Sequence, residues 1–146
     1  MLDFVKALSD VNALAVVVAA LAAFAVGSVW YSPVLFSKPW MKELGLKKDF
    51  MSDEGAKKDL PKLLAVDMVL TVMLSLGLAM LLNLLAVSGL WHGVAVGAFV
   101  IVFFSAMTTG INYVFEKRSF KLFAINAGYA LVMGVIIGGI LGVWPR

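Results

Sequence analysis

Four stretches of this chain run for eighteen or more residues almost without charge, roughly 13–31, 62–86, 93–114 and 121–144. At about 1.5 Å per residue, each is long enough to cross a hydrocarbon layer about 30 Å thick. No water is available inside such a layer to satisfy peptide groups, so a spanning segment of this length has to be a helix. Composition excludes the alternative of buried helices in a soluble protein. Of 146 residues, 62% are hydrophobic and 14% charged, whereas soluble chains run roughly 45–50% apolar and 25% charged. Too little polar chain remains to bury the runs. The expectation is an all-α fold, a polytopic membrane protein forming one domain over 1–146. It is a four-transmembrane-helix bundle with one charged cytoplasmic loop, 32–61, between helices 1 and 2.

The chain changes solvent most sharply between Gly27 and Lys42. Trp30, Tyr31 and Trp40 stand at the crossing, where a ring keeps its body in hydrocarbon and its polar edge in water. Pro33 and Pro39 disfavour helix in the residues before them, which ends the first helix near Tyr31 or Ser32. Residues 1–12 read as a short polar lead in which Asp10 or Asn12 caps the first helix. Lys6 alone against Asp3 and Asp10 lacks the positive region of a cleaved signal, so the first span is expected to be retained. Ser52, Asp53 and Glu54 followed by Ala56, Lys57 and Lys58 suggest a short surface helix. Its neighbourhood offers Leu44, Leu46, Phe50, Met51 and Leu60 to rest on headgroups. Asp59 and Pro61 then suit the start of the second span.

Positive residues set the orientation. The loops after spans one and three hold Lys38, Lys42, Lys47, Lys48, Lys57, Lys58, Lys62, Lys117, Arg118 and Lys121; the other side has Lys6 and Arg146. Ten against two places both charged loops in the cytoplasm and both termini outside. The net charge of +3 is therefore a matter of topology, and no basic surface with interleaved aromatics points to nucleic acid.

Within the spans, small and polar residues recur every four positions. Span one has Ala15, Ala19, Ala23 and Gly27 leading to Tyr31. Span two has Asp67, Thr71, Ser75, Ala79 and Asn83. Span three has Gly93 and Gly97, then Ser105, Thr109 and Tyr113, and span four has Asn126, Ala130, Gly134, Gly138 and Gly142. Such stripes let helix backbones approach where lipid supplies no hydrophobic drive. Ala19, Ala23, Gly27, Gly134, Gly138 and Gly142 are the candidate packing residues. The last three do not form a dinucleotide fingerprint, since the spacing differs and no strand precedes them.

Asp67, Thr108, Thr109 and Asn126 fall at one depth, roughly 8–10 Å from the charged end, with Trp30, Tyr31 and Asn112 just beyond. These seven residues are a candidate polar pocket. The plainer reading is interhelical hydrogen bonding at about 0.6 kcal/mol each; the ionisable Asp67 argues for a site. With no cysteine, a lone His92 and no nucleophile–base pair, phosphate loop or cofactor motif, the chain offers no catalytic residue, metal site or cofactor site.

Gly27, Trp30, Tyr31, Ser32, Pro33, Phe36, Lys38 and Trp40 form the most specific segment. Asn112, Phe115, Glu116, Tyr129 and the glycine-rich last span ending at Trp144 lie downstream of it. In these residues the chain resembles the small prokaryotic four-span membrane proteins of domain-of-unknown-function family 1761 (DUF 1761). That resemblance implies an integral protein of the bacterial inner membrane and supplies no activity. Two function classes are then open. The first is a non-enzymatic membrane protein acting through self-association, a dimer by preference, or a membrane protein partner, with span four or span one as the contact face. The second is a transporter or channel component for a small solute or proton, using Asp67. A lipid-modifying enzyme ranks last for want of a nucleophile or metal.

Overall fold

The computed structural model describes residues 3–46 and 53–144, and all regular structure among them is helical. The expectations that touch Lys47, Lys48, Phe50, Met51, Ser52, Pro145 and Arg146 lie outside the described residues. In order the helices are α1 (Phe4–Ser9), α2 (Ala13–Trp30), α3 (Ser37–Glu43), α4 (Glu54–Leu84), α5 (Leu90–Val100), α6 (Met107–Phe115) and α7 (Phe120–Val143). A π-helical segment, Ile101–Ala106, joins α5 to α6 into one rod. Four helices, α2, α4, α5–α6 and α7, are long and apolar enough to span a membrane. The protein is an all-α, four-span membrane bundle.

The lead is not simply polar chain: Asp3 caps α1 by accepting from the Lys6 amide at 2.9 Å. Asn12 caps α2, accepting from the Ala15 amide at 3.1 Å, and Tyr31 closes its other end. Asn83 of α4 donates to the Ala7 carbonyl at 3.1 Å and holds α1 across the terminal end of the bundle.

One expectation is corrected at α4. No break separates a surface helix from the second span at Asp59–Pro61; a single helix of 31 residues runs through Pro61. Asp53 caps it, accepting from the Ala56 amide at 3.3 Å. Proline near an exposed helix end forfeits one hydrogen bond that water can replace. At about 46 Å the helix overhangs the hydrocarbon layer.

Packing is uneven along the bundle axis. At the terminal end, Ala15, Val16, Ala19 and Ala23 of α2 share a core with Leu78, Ala79 and Leu82 of α4 and Ile137 and Leu141 of α7. The α5–α7 contact is closer still. A methyl group on Gly93 would collide with the Gly138 carbonyl, one on Gly97 with that of Gly134, and one on Gly142 with that of Gly89. The Gly89 amide donates to the Gly142 carbonyl at 2.6 Å, and its φ of +100° suits glycine. At the lysine-rich end the bundle opens. Almost every residue from Glu54 to Leu70 is exposed, and α6 buries none of its own.

The π segment accounts for part of this opening. Along span three the buried line runs Gly93, Gly97, Ile101, Ala106, a step of five where the four-residue stripe required Ser105. Ile101 packs on Gly134 while Ser105 turns outward. A π turn adds one residue to a helical turn and rotates the rest of the rod, so Thr108 and Thr109 lose the register expected of them.

Candidate functional site

At the lysine-rich end α2 and α7 exchange rings for glycines. The Tyr129 hydroxyl sits 2.7 Å from where a Gly27 Cβ would stand, and the Trp30 indole 3.2 Å from that of Gly128. Neither ring could lie so close to a helix axis over a larger residue. Trp30 donates through Nε1 to the Ile125 carbonyl at 3.2 Å. Tyr31 donates to Asn126 Oδ1 at 3.0 Å, and Asn126 donates through Nδ2 to the Tyr113 hydroxyl at 2.8 Å, so one amide ties α2, α6 and α7 together.

The chain past α2 folds back over these rings. The amide of Phe36 donates to the Trp30 carbonyl at 3.0 Å around the turn that holds Pro33. Phe36 lies on Trp30 with ring centroids 4.6 Å apart, and Trp40 of α3 meets Tyr31 edge-on at 5.4 Å. Tyr31 and Tyr129 meet edge-on at 5.2 Å. Such pairs contribute about 0.5–1.5 kcal/mol beyond area burial. Glu43 pins α3 in place, accepting from the Ser119 hydroxyl and lying 3.9 Å from the Lys121 ammonium.

Asp67 makes none of these contacts. The buried seam of α4 runs Asn83, Ala79, Ser75, Thr71, with Ser75 wholly enclosed and Thr71 nearly so, and emerges at Asp67. The two helices are antiparallel: Ala15 of α2 lines the same small cavity as Asn83 of α4. Stepping sixteen residues along each stripe, about 24 Å, puts Tyr31 and Asp67 at about the same height along the bundle. Alanines let α2 and α4 close at the terminal end.

The seven pocket residues therefore do not gather in one enclosed chamber. Trp30, Tyr31 and Asn126 belong to the ring cluster, whereas Asp67 is exposed on α4. Thr108 is exposed and donates to the Phe104 carbonyl of its own rod at 2.6 Å; Asn112 is exposed and Thr109 half-buried. The π turn is the physical reason, having rotated that rod. The stripe of span two is buried at Ala79, Ser75 and Thr71 and exposed at Asp67. Of the packing residues, Ala19 and Ala23 lie in the α2–α4–α7 core, Gly27 under Tyr129, and Gly134, Gly138 and Gly142 against α5. Span four therefore uses its glycine face within the chain, where a dimer contact was expected.

Tyr113, Trp40 and the Glu43 anchor join the cluster although none belongs to the seven residues expected there. Tyr113 ends the stripe of span three and Gly128 adjoins Tyr129; those were the available signals. His92 Nδ1 lies 3.0 Å from the Ser88 carbonyl at the edge of α5, and no cluster of three metal-ligating side chains occurs among the described residues.

No curated protein and no solved structure matches the chain. The sequence pattern of the family described as "Protein of unknown function (DUF1761)" matches residues 14–142, from the first turn of α2 to the last of α7. That match takes in all four spans, the ring cluster and Asp67, and the chain belongs to this family of membrane proteins.

Proposed function

We propose that the protein is a transporter or channel component that handles a small solute or a proton, with Asp67 as its ionisable site. One observation carries this reading. Asp67 is exposed, makes no hydrogen bond, and lies five residues beyond Lys62 in an otherwise apolar run. A carboxylate within an apolar span is costly, and intramembrane carboxylates mark ion and substrate paths. A carboxylate needed only as structural glue would sit with Thr71 and Ser75 inside the seam. In this reading Asp67 lies toward the cytoplasmic face of a bacterial inner membrane, in keeping with the lysine distribution. The expected result is that liposomes holding the full chain pass protons down an imposed gradient, read with an enclosed pH dye, and that Asp67→Asn abolishes the flux. Equal flux from the variant and the original chain would overturn the proposal.

Self-association is the second reading, favoured by the exposed apolar halves of α4 and α6: Leu63, Val69 and Leu70 on one, Ile111 and Val114 on the other. With Gly138 enclosed in the chain, a dimer would form across these halves. Cysteines placed at Val69 and Ile111 should then cross-link between copies, whereas one at Leu21 should not; absence of cross-links at both would remove this reading.

A further inference from the structure

A cavity of about 420 Å³ lies between α6 and the start of α7, beside the charged turn that joins them. Its α7 wall is fixed. The Phe123 ring lies 3.3 Å from where a Gly110 Cβ would stand, and its centroid is 5.8 Å from that of Phe120 and 6.5 Å from that of Tyr113. Asn126 holds Tyr113 in turn by donating to its hydroxyl. The α6 wall is Met107, Ile111 and Val114, one apolar side chain per helical turn. Ile111, Val114 and Phe120 are exposed, so the space is open at the side.

The chemistry changes at one end. Arg118 and Ser119 also line the cavity, and the backbone fixes where they stand. The Lys117 and Arg118 amides donate to the Val114 and Tyr113 carbonyls at 3.2 and 2.9 Å, with Lys117 at φ +55°, the left-handed closure of a helix end. Arg118 thereby takes the place from which an apolar side chain commonly covers such an end. It uses Nε to donate to Glu116 at 3.2 Å, while Ser119 is committed to Glu43 and the Leu122 amide. Among the described residues, nothing pairs with the terminal guanidinium nitrogens of Arg118 or with the Lys117 ammonium.

An apolar slot with unpaired cations at one end suits an anion carried on a hydrocarbon chain. Met107 to Val114 covers about 10 Å of the helix axis, and one leaflet supplies about 15 Å of hydrocarbon. A chain lying in the slot therefore puts its headgroup level with the turn. A phosphodiester accepts from a guanidinium in parallel bonds, whereas a zwitterionic headgroup brings a cation of its own toward Lys117 and Arg118. We propose that the cavity between α6 and α7 binds one anionic phospholipid, with an acyl chain lying over Phe123 and the phosphate on the Arg118 guanidinium. The assignment is independent of Asp67 and of the transport reading. A second copy seated on Ile111 and Val114 is the competing occupant; its apolar surface would fill the slot and leave both cations unanswered.

The test adds phosphatidylglycerol, or phosphatidylcholine with the same acyl chains, to the full chain in a neutral detergent and counts retained lipids by native mass spectrometry. One phosphatidylglycerol should stay on each chain, preferred over phosphatidylcholine about fivefold, as one cation at an anionic surface contributes. Arg118→Gln should remove that preference. Arg118→Lys should keep part of it, because an ammonium binds phosphate as a point charge. Lys57→Gln, which removes the same charge from the other loop, should leave it intact, and helical circular dichroism verifies that each variant is folded. Glycerol phosphate, a headgroup without chains, should not displace the lipid. Equal retention of the two lipids, equal effects of Arg118→Gln and Lys57→Gln, or displacement by glycerol phosphate would overturn the proposal. So would cross-links through a cysteine at Ile111 that form as readily in phosphatidylglycerol nanodiscs as in phosphatidylcholine ones, since they give the slot to a second copy.

Discussion

Gly138 and Gly77 show how differently two glycines of one bundle can behave. A side chain on Gly138 meets the backbone of α5 at Gly93, which cannot yield without parting the helices, whereas nothing lies within 4 Å of a Cβ on Gly77. Gly138→Leu should therefore destabilise the protein by about 3 kcal/mol or more, as overpacking against backbone does. Gly77→Ala should raise stability by about 0.5–1 kcal/mol through helix propensity. Thermal unfolding in detergent reads both. Ser75 is a third case: its hydroxyl is fully buried without a hydrogen-bond partner. Removing an unsatisfied buried group recovers its desolvation penalty, so Ser75→Ala should stabilise by about 1 kcal/mol. A fall in the unfolding midpoint on that substitution would mean that the hydroxyl has a partner in the membrane.

At the scale of elements, α3 is held over the ring cluster by the ring of Trp40 and by one polar anchor, Glu43. Glu43 bridges to Ser119, the N-cap of α7, and to Lys121. An exposed ion pair contributes only about 0–1 kcal/mol, so Glu43→Ala should barely move the unfolding midpoint. It should instead loosen α3, and the backbone amides of Trp40 to Leu44 should exchange with deuterium several-fold faster. An unchanged exchange rate would show that the contacts of Trp40 and Phe36 suffice to anchor the segment. The long rods were legible because apolar length is a one-dimensional property. The continuity of α4 through Pro61 was not: proline reads as a start signal, yet the cap at Asp53 and the solvent around the first turns make its missing bond tolerable. The π segment was hidden too, since Ile101–Ala106 looks like any apolar stretch and its extra residue shows only in the pattern of burial.

For the whole molecule, the decisive feature is a closed terminal end and an open lysine-rich end. The absence of native cysteine allows a direct test of orientation. Lys57→Cys should be labelled by a membrane-impermeant maleimide only from the cytoplasmic side, and Ser88→Cys only from the outside. The reverse pattern would invert the bundle. Much of the candidate site was legible as residue types at one depth: Trp30, Tyr31, Asp67 and Asn126 all lie at the open end. Their division into a bonded cluster and an exposed carboxylate was not, because depth gives height along the axis and says nothing of distance across it.

The sequence by itself determined the solvent, the four rods, the cap at Asn12, and the stripes of small residues. Each of these depends on interactions within a few residues of chain or on transfer between water and oil. Only the tertiary structure decided which stripes meet, that the glycines of α7 close on α5 inside one chain, and that Asp67 is left exposed. Those outcomes depend on the volumes that neighbouring rods bring to the same level, alanine against alanine where α2 meets α4 and tyrosine against tyrosine where it meets α7.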